Sequence, residues 1–206
     1  MPITPITVTS PKIILASASP RRRALLEQIG VSYRAIHADI DETAEDGETA
    51  QAYARRLALV KAKTVQGMLP ADVRLPVLGA DTVVEISGEI LTKPLSEDEG
   101  MGMLGKLSGK RHRVYTAVAL VADKELIRLS ATSVVFRNIS VKERRAYWLS
   151  GEPRGKAGGY AIQGVGAIFV RHIEGSYSGV MGLPLFETAE LLETCGVKVM
   201  EGLSYT

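Results

Sequence analysis

Residues 77–86, VLGADTVVEI, read as a strand too apolar for a surface, yet an aspartate stands at its centre. Asp81 has Leu78, Val83 and Val84 for neighbours, and an unpaired carboxylate buried among them is expensive. A fold that accepts this strand must therefore bring something to Asp81. One reading has the residue capping a turn or pairing with a structural arginine. The other has a carboxylate held at the edge of a sheet, where it binds a metal or takes a proton from water. Ser87-Gly88 then reads as a tight hairpin connection, with Lys93 before Pro94 at the return, either solvated or reaching for a phosphate.

Further strand-like segments lie at 12–16, 32–37, 113–122, 126–136, 167–173 and 197–200, and Asp123-Lys124 reads as another hairpin connection. Helical patterns cover 20–29, 48–68, 97–107, 141–149 and 184–195. Two open with capping boxes, Ser96 with Glu99 and Ser140 with Glu143. Strands crowd the middle while helices interleave elsewhere, which predicts a mixed α/β sheet with a cleft between two lobes.

The first helix carries its charge at the wrong end. Ser19-Pro20 reads as N-cap and first turn, so Arg21, Arg22 and Arg23 crowd the positive end of the dipole. Each cation there costs about 0.3–1 kcal/mol unless something offsets it. The spacing turns Arg23 about 100° around the helix from Arg22, toward solvent.

A second misplaced cation is Lys61, on the same helical stripe as Ala54, Leu57, Ala58 and Val65. Its stem either snorkels outward or points into the cleft the arginines face. Upstream, DIDETAEDGE supplies Asp39, Asp41, Glu42 and Glu45, one of which could join Asp81 around a divalent ion. Lys110, Arg111, His112 and Arg113 form either an exposed connection or part of a site. Between Gly155 and Gly182 stand eight glycines, which let backbone N–H groups approach a ligand, and Gln163 interrupts an apolar approach with an amide suited to a nucleobase edge.

Composition narrows the classes. The chain has 206 residues, with 25 basic and 23 acidic side chains and a net charge of +2, too balanced for a broad nucleic-acid or membrane-binding surface. Seven Tyr, three Phe and one Trp leave no aromatic-basic pattern for stacking bases. The N-terminus lacks a charged signal region, no apolar run approaches a membrane span, and Cys195 is the only cysteine, read as a buried small hydrophobe; these point to a cytoplasmic protein. No GxxxxGK[ST], GxSxG or HExxH pattern occurs, and His37, His112 and His172 lack zinc spacing.

Four blocks in order resemble one family: SASPRR (17–22), GADTVV (79–84), LTKP (91–94), and GYAIQG (159–164) followed by GSYSGVMGLP (175–184). They are similar to the Maf family of nucleoside triphosphate pyrophosphatases, the septum-formation-inhibitor proteins. The likeness spans about 12–199 and implies a single domain over 12–206, leaving residues 1–11 as an N-terminal extension. It implies a mixed, strongly curved sheet flanked by helices, related to the inosine-triphosphate pyrophosphatases, and a homodimer. It implies cleavage of a nucleoside triphosphate to the monophosphate and pyrophosphate with Mg²⁺ or Mn²⁺. By the resemblance, Asp81 is the general base, and Asp81 and Glu42 hold the metal, with Lys61 and Lys93 completing the catalytic set. Ser17, Arg21, Arg22, Thr82 and Gln163 bind substrate, and Arg21, Thr82 and Gln163 match the branch acting on dTTP and UTP. The rival readings are the 7-methyl-GTP branch and a non-enzymatic regulator of septation.

Overall fold

The computed structural model describes residues 10–37 and 39–200. The expected extension, apart from Ser10 and Pro11, lies outside them.

Seven strands form one mixed sheet: β1 (Ile13–Ala16), β2 (Tyr33–Ile36), β3 (Val77–Ile86), β4 (Glu89–Leu91), β5 (Arg111–Val121), β6 (Glu125–Phe136) and β7 (Val170–Glu174). The order is β2-β1-β3-β5-β6-β7, with β4 also paired to β3. β1 runs parallel to β2 and β3, and the remaining pairs are antiparallel. The helices are α1 (Pro20–Gln28), α2 (Ala50–Met68), α3 (Glu97–Leu107), α4 (Val141–Leu149), α5 (Tyr177–Met181) and α6 (Leu185–Thr194).

The register of β3 decides where a ligand can go. β1 pairs with it only as far as Gly79, and β4 takes up only at Val84. Between them Asp81 pairs with Ala117 of β5 on one side and with no strand on the other. Asp81 thus belongs to an interior strand, not an edge strand, but stands beside a gap in the sheet.

Side chains on one face of β3 divide the core. Leu78 and Ala80 pack with Leu25 and Leu26 of α1 and Leu191 and Leu192 of α6. Val84 and Ile86 pack with Leu104 and Leu107 of α3, Phe136 and Tyr147. Period-2 alternation puts Thr82 on the same face between the two clusters, opposite Thr116 of β5. The apolar clusters therefore meet at a polar pair, and the cleft opens at that junction.

The other face of β3 lies under α2, whose Ala54, Leu57 and Ala58 pack on Val83, Ala117 and Ala119. Contact is backbone to backbone at Gly79, where a Cβ would lie 2.2 Å from the Ala58 carbonyl oxygen and 2.9 Å from the Ala62 nitrogen. That closeness sets Lys61 above Asp81, two residues further along the same face. Gly79→Ala is expected to destabilise the fold by about 3 kcal/mol through overpacking that neither backbone can relieve. Urea denaturation checks this, and an unchanged midpoint would mean that α2 does not rest on the strand there.

Local departures from the sequence reading have plain causes. Residues 197–200 form no strand, and 167–173 begins inside a 3₁₀ helix (Val165–Phe169) before β7. Ser19 is the N-cap of α1 but makes no side-chain cap bond; its own N–H donates to Ser17 Oγ at 3.1 Å. Ser140 and Glu143 close a full capping box, whereas Glu99 accepts from the Leu95 N–H instead of completing the box with Ser96. The basic run 110–113 enters β5 with Arg111 and Arg113 exposed and His112 buried against Tyr160 Oη at 2.9 Å, its pKa pushed down to about 4 by burial. Arg23 is half-buried rather than turned to solvent, and Cys195 is partly buried against the first core cluster.

Candidate active site

The gap beside β3 opens into a cavity of about 370 Å³. Ser17, Arg21, Arg22, Glu42, Lys61, Asp81, Thr82, Lys93 and Gln163 all line it, so all nine residues named from sequence meet in one hollow. It sits past the C-terminal ends of the parallel strands β1 and β2, where open α/β sheets receive ligands. A second hollow shares Glu42, Asp81, Thr82, Lys93 and Ala157, so these five form a wall between two spaces.

One side of the cavity is a chain of ion pairs. Lys61 Nζ lies 2.6 Å from Asp81 Oδ1 and 2.7 Å from Glu42 Oε1, and Lys93 Nζ lies 2.6 Å from Glu42 Oε2. Lys61 therefore points inward, as the second of its two sequence readings had it. Tyr53 of α2 places the acidic loop by donating from its hydroxyl to the Glu42 carbonyl at 2.8 Å. The two acids differ in environment. The Asp81 side chain is 8% exposed, and burial pushes its pKa up, with Lys61 and Arg22 pulling it back only in part. Burial would also raise Glu42, but hydrogen bonds from Lys61 and Lys93 outweigh it and hold Glu42 at about 2. Two carboxylates with pKa values driven apart are the pattern of a proton acceptor beside a permanent anion.

The opposite side explains how two of the three arginines, Arg21 and Arg22, survive at a helix N-terminus. Arg21 Nε donates to the Met181 carbonyl at 3.1 Å and Arg22 Nε to the Gly182 carbonyl at 2.8 Å. Carbonyls at the C-terminal end of α5 thus oppose the N-terminal end of α1 through two guanidinium groups. Arg22 continues to Ser17 Oγ through Nη1 (3.2 Å) and Thr82 Oγ1 through Nη2 (3.3 Å), so all three nitrogens are engaged. Burial lowers its pKa, with the Asp81 charge acting the other way. Arg21 Nη1 and Nη2 have no hydrogen-bond partner among the described residues, and both belong to a group lining the cavity. Thr82 Oγ1 also lies 3.0 Å from Thr116 Oγ1, which donates to the Gly179 carbonyl at 2.7 Å. Gln163 is exposed and lines the cavity, with no side-chain bond among the described residues.

Matched against known families, residues 12–195 fit the Maf-like protein description. The chain belongs to the Maf family. Relatives named dTTP/UTP pyrophosphatase include one from Alkalilimnicola ehrlichii, 52% identical over 89% of this chain and 92% of its own. Another, from Saccharophagus degradans, is 49% identical over 95% of this chain and 94% of its own. A third, from Methylobacillus flagellatus, is 50% identical over 91% and 94%. Among solved structures, the Staphylococcus aureus Ham1 protein superposes with a TM-score of 0.40 and 17% identity, covering 60% of this chain and 71% of that one.

Sequence reasoning missed parts of this Maf cavity. Lys156 lines it, its pKa lowered by burial and then by the Arg21 charge, although it sits inside the glycine-rich block that drew attention to Gln163. His37 also lines it, at the end of β2. The Met181 and Gly182 carbonyls had no signal to give, because every residue carries a carbonyl and only the fold aims it.

Proposed function

We propose that this Maf chain hydrolyses dTTP and UTP to the nucleoside monophosphate and pyrophosphate. The observation that carries the reading is one cavity with Asp81 and Glu42 on one wall and the two anchored arginines on the other. A triphosphate spans such a space, with cations for its phosphates and a base for the water that attacks it. The names of the half-identical relatives support the same substrates.

In this reading the free nitrogens of Arg21, with Lys93, grip phosphate oxygens through charge-assisted bonds. Asp81 accepts the proton of a water reaching it across the shared wall, helped by a pKa closer to neutrality than a free aspartate has. The water oxygen attacks the α-phosphorus, the bond to the bridging oxygen of the β-phosphate breaks, and pyrophosphate leaves carrying that electron pair. Glu42 stays anionic between Lys61 and Lys93 and fixes both ammonium groups. Gln163 and Thr82 present amide and hydroxyl groups to the pyrimidine edge.

Asp81 and Glu42 are the groups that would hold Mg²⁺ or Mn²⁺. They fit: Lys61 Nζ already lies within 2.7 Å of an oxygen from each, and Mg²⁺ takes one or two carboxylates together with substrate phosphates. Such an ion supplies Lewis-acid neutralisation of phosphate charge. The resemblance extends the proposal to a homodimer acting in the cytoplasm.

The test is pyrophosphate release from dTTP, UTP, CTP, 7-methyl-GTP and ITP, with and without Mn²⁺. The expected result is a kcat/KM for dTTP and UTP at least about tenfold above the others, abolished by chelator and restored by Mn²⁺. A preference for 7-methyl-GTP would move the chain to the other branch, and a protein inert toward all five would support the regulator.

A further inference from the structure

Gln163 sits on a turn with no regular element of its own, so something must hold the turn still if an amide there is to read a base. The structure shows what does. Tyr147, on α4, donates its hydroxyl proton to Glu152 Oε1 at 2.6 Å, and the Tyr147 hydroxyl oxygen accepts from the Ala161 N–H at 3.0 Å. Glu152 Oε1 also accepts from the Gly166 N–H at 3.0 Å, and Oε2 from the Val165 N–H at 2.8 Å. Three backbone donors bracketing Gln163 thus end on one Tyr–Glu pair. The turn is seated closely on that pair: a Cβ at Gly164 would come 2.3 Å from Glu152 Oε2, and one at Gly166 would come 2.6 Å from the Tyr147 hydroxyl. Burial would raise the Glu152 pKa, but the bonds from Tyr147, Gly166 and Val165 outweigh it, so the carboxylate stays an acceptor on both oxygens.

We propose that Glu152 and Tyr147 are positioning residues for the nucleobase, fixing the turn that aims Gln163 into the cavity and thereby setting the preference for uracil and thymine over cytosine. The inference rests on the pyrimidine triphosphate reading above. Neither side chain lines the cavity, so both act through the turn that does, which carries Ala161 and Gln163.

The experiment is a double-mutant cycle read as the ratio of kcat/KM for UTP to that for CTP. Glu152→Gln turns an NH₂ group toward the Val165 N–H, or toward Tyr147 and Gly166, so at least one donor faces a donor. The expected result is a ratio lowered about tenfold, through KM for UTP, with kcat nearly unchanged. Gln163→Ala is expected to lower the ratio as much, and Glu152→Gln added to it to change nothing further. Tyr147→Phe, which leaves the Ala161 N–H without its acceptor, is expected to repeat the pattern and serves if Glu152→Gln folds poorly. An equal drop in kcat for both nucleotides with the ratio intact, or a Glu152→Gln effect undiminished in the Gln163→Ala background, would overturn the positioning role. A Gln163→Ala enzyme with an intact ratio would instead remove Gln163 from the base site and take the underlying reading with it.

Discussion

Asp81→Asn is expected to cut kcat by about 10³-fold while leaving nucleotide binding measurable and the fold no less stable. The three parts of that result have separate causes. Turnover falls because an amide cannot take the proton from water. Binding persists because Arg21 and Lys93 do not depend on Asp81 for their position; Arg21 hangs from the Met181 carbonyl and Lys93 from Glu42. Stability follows from the direction of the Asp81 shift. A carboxyl whose folded pKa is raised contributes stability below its unfolded value, near 3.8, and that contribution is lost as pH rises through the folded value. At neutral pH the ionised Asp81 is therefore a net cost to the fold, one retained for chemistry. The wild-type rate should accordingly fall with pH as Asp81 is protonated, at a pH above the usual aspartate range. Steady-state kinetics, equilibrium nucleotide binding and a thermal melt check all three. Turnover within threefold of wild type would remove Asp81 from the proton transfer.

What could be read from the sequence and what could not divide along a physical line. Asp81 and Lys61 were legible because each breaks a pattern: an acid in an apolar strand, a cation on an apolar helical stripe. The rupture itself predicted that the two need partners, and they meet at 2.6 Å. Long segments were legible too, since β5 is a long apolar, β-branched run, β6 has enough alternating residues to declare its period, and α4 carries its full capping box. Residues 197–200 misled because a short β-branched run becomes a strand only when it pairs with a sheet edge, whereas Val197 and Val199 pack on the first core cluster and the Met200 N–H donates to the Ile29 carbonyl. α5, with five residues, is too short to show a helical period, yet its C-terminal carbonyls hold both arginines. Glu42 was singled out only through the family likeness, because nothing in DIDETAEDGE separates it from the neighbouring acids. The structure separates it: Tyr53 tethers its carbonyl and two lysines take its carboxylate.

Arg21 and Arg22, adjacent and chemically identical, are expected to give opposite phenotypes. Arg22 spends its nitrogens on Gly182, Ser17 and Thr82, joining α1, β3 and the end of α5, and its charge faces the buried Asp81. Arg22→Ala strips those three bonds, leaves Ser17 and Thr82 facing a void, and removes a cation that restrains the Asp81 pKa. The melting temperature should fall by about 6–12 °C, since each of the three bonds is worth about 1 kcal/mol and a domain of this size loses about 2–4 °C per kcal/mol. The pH at which the rate falls should move upward with Asp81. Arg21 spends only Nε on the fold, leaving both outer nitrogens for the ligand. Two charge-assisted bonds to phosphate are together worth about 3–4 kcal/mol, so Arg21→Ala should lower kcat/KM by about 10²–10³-fold at an almost unchanged melting temperature and pH profile. Lysine separates the two further: Arg21→Lys keeps a point charge for phosphate and should recover part of the loss, whereas Arg22→Lys cannot reach three acceptors in three directions and should recover little. Equal melting temperatures for Arg21→Ala and Arg22→Ala, with equal losses of activity, would mean that the two guanidinium groups share one role and that the division drawn from their bonds is wrong.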